Sequence, residues 1–431
     1  MSLYEYIRDN YKYSHYWFEE EVKRFDNVKR VNDIIDIREY LSGKHKILTR
    51  PVEKYQGKDF YPRKIVLQYA KVLLNFQVAY LLQHPITLTG AENVINIFKE
   101  VYKKGKYNRI DFKVLSKMVK YGNCYEYLFL DGNKGIKSKL INPEDGFPVF
   151  NQHNEYLSFI ESYTVDGITY YIIYYPDFVE KFDNEEGNIR KTGEYNNLSG
   201  LPVIYANENE LDQNYGRSDL KDYISILDSM EDLISKFTDS FYKHHNPIPV
   251  SIGQIIKGEG INPDLVGSGI VIEDGSDFKM VQNQLDVRSF KEIYGTLKQA
   301  LLDISSTPAI SFNATDVSNL SEVSIKLLFS LADIKAGLNE QYIREGMEQR
   351  FEQMRKLLEY KGVSIADKDF DSLGVVFAYA RPQNEKDIID NLKTLKDISG
   401  ISTESLLEHS PYTVDVTQEL ERLKGDGSNT N

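Results

Sequence analysis

Apolar residues recur at helical spacing along parts of this chain and give way elsewhere to aromatic and β-branched runs, and the switches between the two mark its elements. Residues 1–30 are charged and aromatic and read as helical. Between 60 and 90, Ile65, Val66, Tyr69, Leu73, Phe76, Tyr80 and Leu81 recur at helical spacing, and Pro85 marks the end. Further helices are expected over 91–104 and 111–121. The stretches "CYEYLFLD", "IKSKLIN", "YLSFIESYTV" and "ITYYIIYYP" then read as strands, rich in aromatic and β-branched residues. Asp131-Gly132 and Asp166-Gly167 sit between them as hairpin turns. The meander closes at "GLPVIYANENE", where a strand breaks into a polar loop at Ala206.

From Ser218 the helical period returns. Tyr223, Ile226, Leu227, Met230, Leu233, Ile234, Phe237 and Phe241 form one stripe, with Asp222, Asp228, Glu231 and Asp239 off it. The Gly- and Pro-bearing segment 245–285 reads as short strands with one turn of helix. Asp286 then caps a helix whose stripe is Val287, Phe290, Ile293, Tyr294, Leu297, Leu301 and Ile304, bounded by Pro308. A chemically quiet segment of small and polar residues follows. Asn319 with Glu322 starts a helix expected to run over 320–360 with only Gly337 and Gly346 inside it. At ~1.5 Å per residue its length is roughly 60 Å, which suggests a helix that crosses between structural units. The strand "LGVVFAYARP", two or three short helices and a frayed tail complete the chain.

At 431 residues the chain is long enough for two to four units. Its 31 tyrosines offer apolar area with a polar tip, which suits half-exposed strands and subunit interfaces. A net charge of −13 argues against a surface that grips nucleic acid through phosphates, though not against one that DNA slides past. The single cysteine, Cys124, allows no intramolecular disulfide and reads as a buried small hydrophobe in an intracellular setting. The N-terminus lacks the form of a signal peptide, and no apolar run reaches the length of a membrane span.

The search for catalytic chemistry is negative. "GEGINP" at 258–263 has Pro263 where a dinucleotide loop needs its third glycine, and reads as a turn. "DNEEGNIRKTGE" at 183–194 has its glycine one place too early for a calcium loop, and reads as a hairpin tip. His244-His245 has no Cys or third His nearby in sequence and reads as a solvated pair at a helix C-terminus. Phosphate-loop, nucleophile-elbow and zinc-protease motifs are absent from the sequence. No cofactor or metal is expected.

The order of several stretches is nonetheless specific: "YLSGKHKIL", "KIVLQYAKVLLNFQVAYLLQHPITL", "INPEDGFPVF", "LPVIYANENELDQNYGRSDLKDYISILDSMEDLISKFTDSF" and "VSNLSEVSIKLLFSLADIKA". Over roughly residues 35–360 this resembles the portal proteins of tailed phages, in the family typical of long-tailed phages of Gram-positive bacteria. Gln83 stands where that family usually has glycine.

The resemblance implies an α+β portal fold with an α/β wing, a helical-hairpin stem, a small α/β clip, a long spine helix and a C-terminal helical crown. The implied boundaries are 1–217 for the N-terminal wing, 218–244 and 286–306 for the stem helices, and 245–285 for the clip. A tunnel loop would span 307–318, the long helix and a strand returning to the wing 319–383, and the crown 384–431. Ser311, Asn313, Thr315, Asp316 and Ser318 would then line the DNA tunnel, with Arg288, Lys291 and Lys298 as candidate tunnel cations. Ile226, Leu227, Met230, Phe237 and Phe241 would pack the stem.

The implied function is a non-enzymatic ring at one capsid vertex, twelve copies in the virion, through which DNA is packaged and ejected. Implied partners are further copies of the chain, double-stranded DNA passing without tight binding, terminase, a head–tail adaptor, scaffold and major capsid protein, with no membrane. The setting is the virion, and the host cytoplasm during assembly. Two rivals stand beside this reading. One is a polymer-binding or carbohydrate-active enzyme with a tyrosine-rich β cleft; the other is a soluble scaffold with no DNA role.

Overall fold

The computed structural model describes residues 2–55, 58–244, 248–253, 274–281, 286–309, 322–382, 385–413 and 416–427. The chain opens with α1 (Leu3–Tyr11), α2 (Trp17–Val22) and α3 (Phe25–Ser42), then the ribbon β1 (Glu53–Tyr55) and β2 (Lys58–Phe60). Next come α4 (Tyr69–Leu82), β3 (Thr87–Thr89), α5 (Glu92–Gly105) and α6 (Tyr107–Tyr121). The strands β4 (Asn123–Leu130), β5 (Ile136–Ile141), β6 (Gly146–Phe150) and β7 (Tyr156–Val165) lead to β8 (Ile168–Tyr174), β9 (Phe178–Asp183), β10 (Arg190–Asn196) and β11 (Val203–Ala206). After them lie α7 (Ile224–His244), β12 (Ile248–Ile252), β13 (Asp277–Val281), α8 (Val287–Ile304), α9 (Glu322–Leu328) and α10 (Ser330–Tyr360). The chain ends with α11 (Asp367–Phe370), β14 (Gly374–Val376), α12 (Glu385–Asp397), α13 (Thr403–Glu408) and α14 (Val416–Gly427). This is a mixed helix-and-sheet protein.

Two compact units divide it. The first holds Met1–Arg38, Lys71–Lys221 and Leu302–Asn431, and the second Glu39–Ala70 and Asp222–Leu301. In the first, β10-β9-β8-β7-β6 form an antiparallel sheet and β11-β4-β5 a smaller one. Val165 pairs with Ile168 across the expected Asp166-Gly167 turn, where both turn residues have positive φ (51° and 81°) as the tight hairpin requires. The hairpin expected at 183–194 is also present, with Arg190 opposite Asp183 and Gly187 in its tip.

The larger sheet is covered on both faces, which the strand pattern did not convey. Ile160, Ile173 and Phe182 face Tyr6, Tyr11, Trp17 and Phe18 of the N-terminal helices, and Phe18 lies 4.7 Å from Phe182 between ring centres. The alternate residues Phe159, Ile172 and Tyr174 face Tyr125, Tyr127 and Ile141 of the smaller sheet. Several tyrosines are therefore interior rather than half-exposed, and three of their hydroxyls donate to buried carboxylates: Tyr6 to Glu21 at 2.8 Å, Tyr174 to Glu161 at 2.9 Å, Tyr205 to Glu126 at 2.7 Å.

The long helix does not cross between units. α9 and α10 lie wholly in the first one and are separated at Phe329, not at a glycine. Gly346 is inside α10 because a Cβ there would sit 2.3 Å from the Tyr205 ring. One turn further on, Arg350 is fully buried. Its Nε donates to Glu126 Oε2 at 2.7 Å, its Nη1 donates to Asp111, and its guanidinium lies 5.4 Å from the ring centres of both Tyr107 and Tyr205. One side chain thus ties α10 to α6, β4 and β11.

In the second unit the sequence pattern misled in an informative way. Ile65 and Val66 carry helical spacing, yet α4 starts only at Tyr69. Pro62 holds the residue before it extended, and the following backbone is claimed by α7. The amides of Arg63, Ile65 and Leu67 donate to Asp239 Oδ1 (2.8 Å), Ser235 Oγ (3.0 Å) and Glu231 Oε1 (2.7 Å). The spacing explains the match. Two extended residues cover ~6.6 Å, and four helical residues rise ~6.0 Å. Glu231, Ser235 and Asp239 are accordingly buried, although they lie off the apolar stripe. His45 Nδ1 approaches the same Glu231 oxygen at 2.7 Å under the ring of Tyr40, and Arg50 Nη1 reaches Asp239 at 2.9 Å.

Two stability outcomes follow from the Arg350 cluster. Arg350→Ala strands two buried carboxylates and is expected to cost about 3–5 kcal/mol in urea unfolding. A loss below ~1 kcal/mol would mean that the cluster does not organise the unit. The second outcome concerns pH. Burial raises the Asp111 carboxyl from 3.8 to about 6, against the lowering effect of Arg350. The folded state therefore keeps a proton that the unfolded chain has released, so this group's stability is present at low pH and lost as pH rises through that window. Asp111→Asn removes the dependence. The difference in melting temperature between the two proteins should shift toward the wild type as pH falls from about 6 to about 4. A pH-independent difference would refute the assignment.

Candidate functional site

The second unit presents the two helices expected to pack a stem. On α7, Leu227 and Met230 are fully buried, Ile226 and Phe237 are half-buried, and Phe241 is 50% exposed. The apolar stripe thus emerges toward solvent along the helix. Phe237 stacks on Phe290 of α8 with ring centres 3.9 Å apart, and Phe290 in turn lies 5.8 Å from Tyr294. Beyond that contact Val287, Ile293 and Ile304 are exposed.

On α8, Arg288 and Lys291 are exposed and Lys298 is half-buried. At 100° per residue the three fall within about 80° of one another, beside the apolar stripe. Arg288 pairs with Glu292 at 3.1 Å, one turn along the same helix. The Asp286 cap is present: its carboxylate accepts from the amide of Ser289 at 3.0 Å and from its hydroxyl at 2.6 Å.

The quiet segment begins where α8 is stopped firmly. Thr307 N donates to Leu302 O (2.9 Å) and Ser306 N to Asp303 O (3.2 Å), with Ser306 at φ 52° in the left-handed region. This paired pattern closes a helix end. Thr307 and Pro308 are buried, and Gln77 Nε2 donates to Ser305 O at 3.4 Å. Ser311, Asn313, Thr315, Asp316 and Ser318 lie outside the described residues, as do "GEGINP" and the side chains of His244 and His245.

Beyond that segment the first unit carries a feature that sequence reading missed. Val323, Leu327, Leu331, Ile334 and Leu338 are 41 to 71% exposed and recur every three or four residues along α9 and α10. They form one apolar face with nothing against it among the described residues. The opposite face, with Ala332, Ala336, Ile343 and Met347, is buried. Two apolar faces on one helix were the available signal: a helix buried on one side needs only one of them.

A pocket of about 360 Å³ lies where the two sheets of the first unit meet, walled by Tyr127, Tyr174, Tyr195 and Phe129 with Lys139 and Lys181 at hand. This is the nearest thing to a tyrosine-rich cleft. None of its lining residues is Asp, Glu or His, so it lacks the paired acid and base that glycosidic chemistry uses. Cys124 is buried in β4, and burial pushes its thiol up to about 12. Among the described residues no group of three or more His, Cys, Asp and Glu is placed to hold a metal ion, and no helix is long and apolar enough to cross a membrane.

The model of the phage portal protein family, SPP1 Gp6-like, matches residues 20–431. The chain belongs to that family. The portal protein of Bacillus phage SPP1 is 22% identical over 391 residues, which cover 82% of this chain and 74% of the relative. Among solved structures, the neck of an empty gene transfer agent (GTA) particle computed with C6 symmetry matches at 12% identity with a TM-score of 0.47. That match covers 78% of this portal-family chain and 86% of the other. The virion of the native particle matches at 11% identity and a TM-score of 0.45, covering 86% and 91%. Portal-family membership agrees with the resemblance read from the ordered sequence stretches, and the family is a structural one.

Proposed function

We propose that this portal-family chain is one subunit of a closed ring that forms the DNA channel at a capsid vertex. The ring would act in packaging and ejection without enzymatic activity of its own, as twelve copies in the virion. The observation that carries the reading is the apolar face of α9 and α10, which has no partner among the described residues, together with the exposed Phe241, Val287, Ile293 and Ile304 on α7 and α8. A contiguous exposed apolar face on a helix marks association, and a head-to-tail contact between identical copies forms a ring where its rotation closes.

In this reading α7 and α8 are the stem, 245–285 the clip, 307–318 the tunnel loop and 384–431 the crown, with the remainder forming the wing. Ser311, Asn313, Thr315, Asp316 and Ser318 face passing DNA with short, uncharged or acidic groups, so the duplex is not held by phosphate contacts. Arg288, Lys291 and Lys298 are the stem's tunnel cations, diluted by the chain's net charge of −13. The clip docks terminase during packaging and a head–tail adaptor afterwards. Scaffold and major capsid protein are the partners at the vertex, reached in the host cytoplasm during assembly.

Ring formation is checked by mass in solution. Twelve copies of a 49.8 kDa chain give about 600 kDa. The double variant Leu327→Lys, Ile334→Lys should run as a monomer or small oligomer with an unchanged circular dichroism spectrum, since both side chains are exposed in the single chain. Rings that survive this change would remove the α9–α10 face from the assembly contact.

The tunnel loop is checked by charge. Asn313→Lys with Thr315→Lys should preserve rings, slow packaging and make DNA retention salt-dependent, because every added phosphate contact adds a counterion-release term. Packaging kinetics and retention indistinguishable from wild type across a salt series would mean that the loop does not face DNA.

A further inference from the structure

Outside the assembly faces, the first unit contains a polar pocket of about 440 Å³ between α3 and the loop 207–218. Its floor is made by a close approach of two backbones. A Cβ on Gly216 would lie 2.2 Å from Gly122 O and 2.4 Å from Asn207 N, so neither strand of chain could come this near with a side chain there. Asn207 N donates to Gly122 O at 2.8 Å, and Gly216 N donates to Asn123 Oδ1 at 3.1 Å. The loop is thereby pinned onto the start of β4. The facing wall is one side of α3, including Lys29, Arg30, Asp33, Ile34 and Ile37.

The buried polar atoms left without a partner in the lining of this pocket are donors. Of its three lining carboxylates, Asp26 is exposed to solvent, Asp33 is paired with Lys221 at 2.5 Å, and Asp212 accepts from the amides of Asn214 and Tyr215 at 2.8 and 3.3 Å. The donors are less well served. Asn123 is 1% exposed, and its Nδ2 has no acceptor. Arg30 Nε likewise has none, while its two outer nitrogens donate to the carbonyls of Pro143 and Gly146, both at 2.8 Å. Its guanidinium is sandwiched between Phe147 and Tyr215, with centroids at 5.1 and 4.8 Å, and no carboxylate pairs with it among the described residues. Lys29 is exposed on the same face. A buried donor without an acceptor is costly, and a ligand oxygen would relieve that cost. Ile34, Ile37, Tyr121 and the 92%-exposed Leu211 add apolar wall.

We propose that this pocket binds a side-chain carboxylate from an acidic, apolar-flanked segment of a partner protein. A peptide fits better than duplex DNA for two reasons. The duplex presents a convex, continuous ridge of phosphates, whereas this concavity admits one or two side chains. A chain of net charge −13 also repels an extended polyanion more than a single carboxylate. The pocket is complete within a single chain and needs no ring formation.

The test uses the full chain and the blocked peptide acetyl-(Glu-Leu)₃-amide, followed by titration calorimetry. Wild type should bind it, and acetyl-(Ser-Leu)₃-amide should not. Asn123→Asp keeps the oxygen that accepts from Gly216 N and replaces the unpaired donor by an anionic oxygen, so it should weaken binding about tenfold or more. Lys29→Gln, at an exposed position, should weaken it several-fold without affecting the fold, and it carries the test if Asn123→Asp melts early. Failure of wild type to bind, or equal binding by wild type and Lys29→Gln, overturns the proposal. Displacement of the peptide by inorganic phosphate or by a short duplex overturns it in favour of a phosphate site.

Discussion

The first unit depends on a positive charge that has been taken out of water. Arg350 has no solvent exposure, and its partners come from elements far apart in sequence: Asp111 on α6, Glu126 on β4 and Tyr205 through Glu126 on β11. A buried guanidinium is tolerable only when counter-charge is close, and Glu126 on Nε and Asp111 on Nη1 supply it, while Nη2 has no partner among the described residues. Each of those elements is consequently fixed relative to α10. Gly346 belongs to the same arrangement, since it lets the Tyr205 ring come down onto the helix.

The second unit is tied together by a different device. An extended strap and a helix have matching repeat distances when every second strap amide meets every fourth helix residue. Glu231, Ser235 and Asp239 use that coincidence to satisfy three amides that would otherwise need a sheet partner. The polar side of α7 is thus structural, and its apolar stripe is left to reach α8 and, toward Phe241, solvent.

These interiors leave the functional surfaces chemically plain. The tyrosine-walled pocket has no carboxylate or imidazole in its lining, and the strongest unexplained features among the described residues are helix faces: an apolar one along α9 and α10, and another on α7 and α8. A protein that works as a subunit of a channel needs surfaces for copies of itself and a lining that does not hold its cargo. The portal family supplies the context in which both features make sense. The polar pocket by Asn123 is separate from them, and its unpaired donors point to a small acidic ligand group.

The sequence by itself determined the type of most elements. The aromatic and β-branched runs in 156–174 and the period of 3.6 in 223–241 and 287–304 are local signals, and such signals survive in a single chain. The Asp166-Gly167 turn and the Asp286 cap were legible for the same reason, being made by residues a few positions apart. The family was legible in the order and spacing of several stretches. Tertiary structure alone decided the rest. Ile65 has helical spacing but lies in an extended strap, because α7 offers its amides better acceptors than a helix would. Glu231 and Asp239 read as polar positions off the stripe, yet they are buried, since a carboxylate surrounded by donors no longer needs water. Tyrosine suits half-exposed strands and interfaces, yet Tyr6, Tyr174 and Tyr205 are interior, where their hydroxyls meet Glu21, Glu161 and Glu126. In each case the deciding partner lies tens to hundreds of residues away or on the far side of a sheet, a distance over which a pattern of neighbours in sequence carries no information.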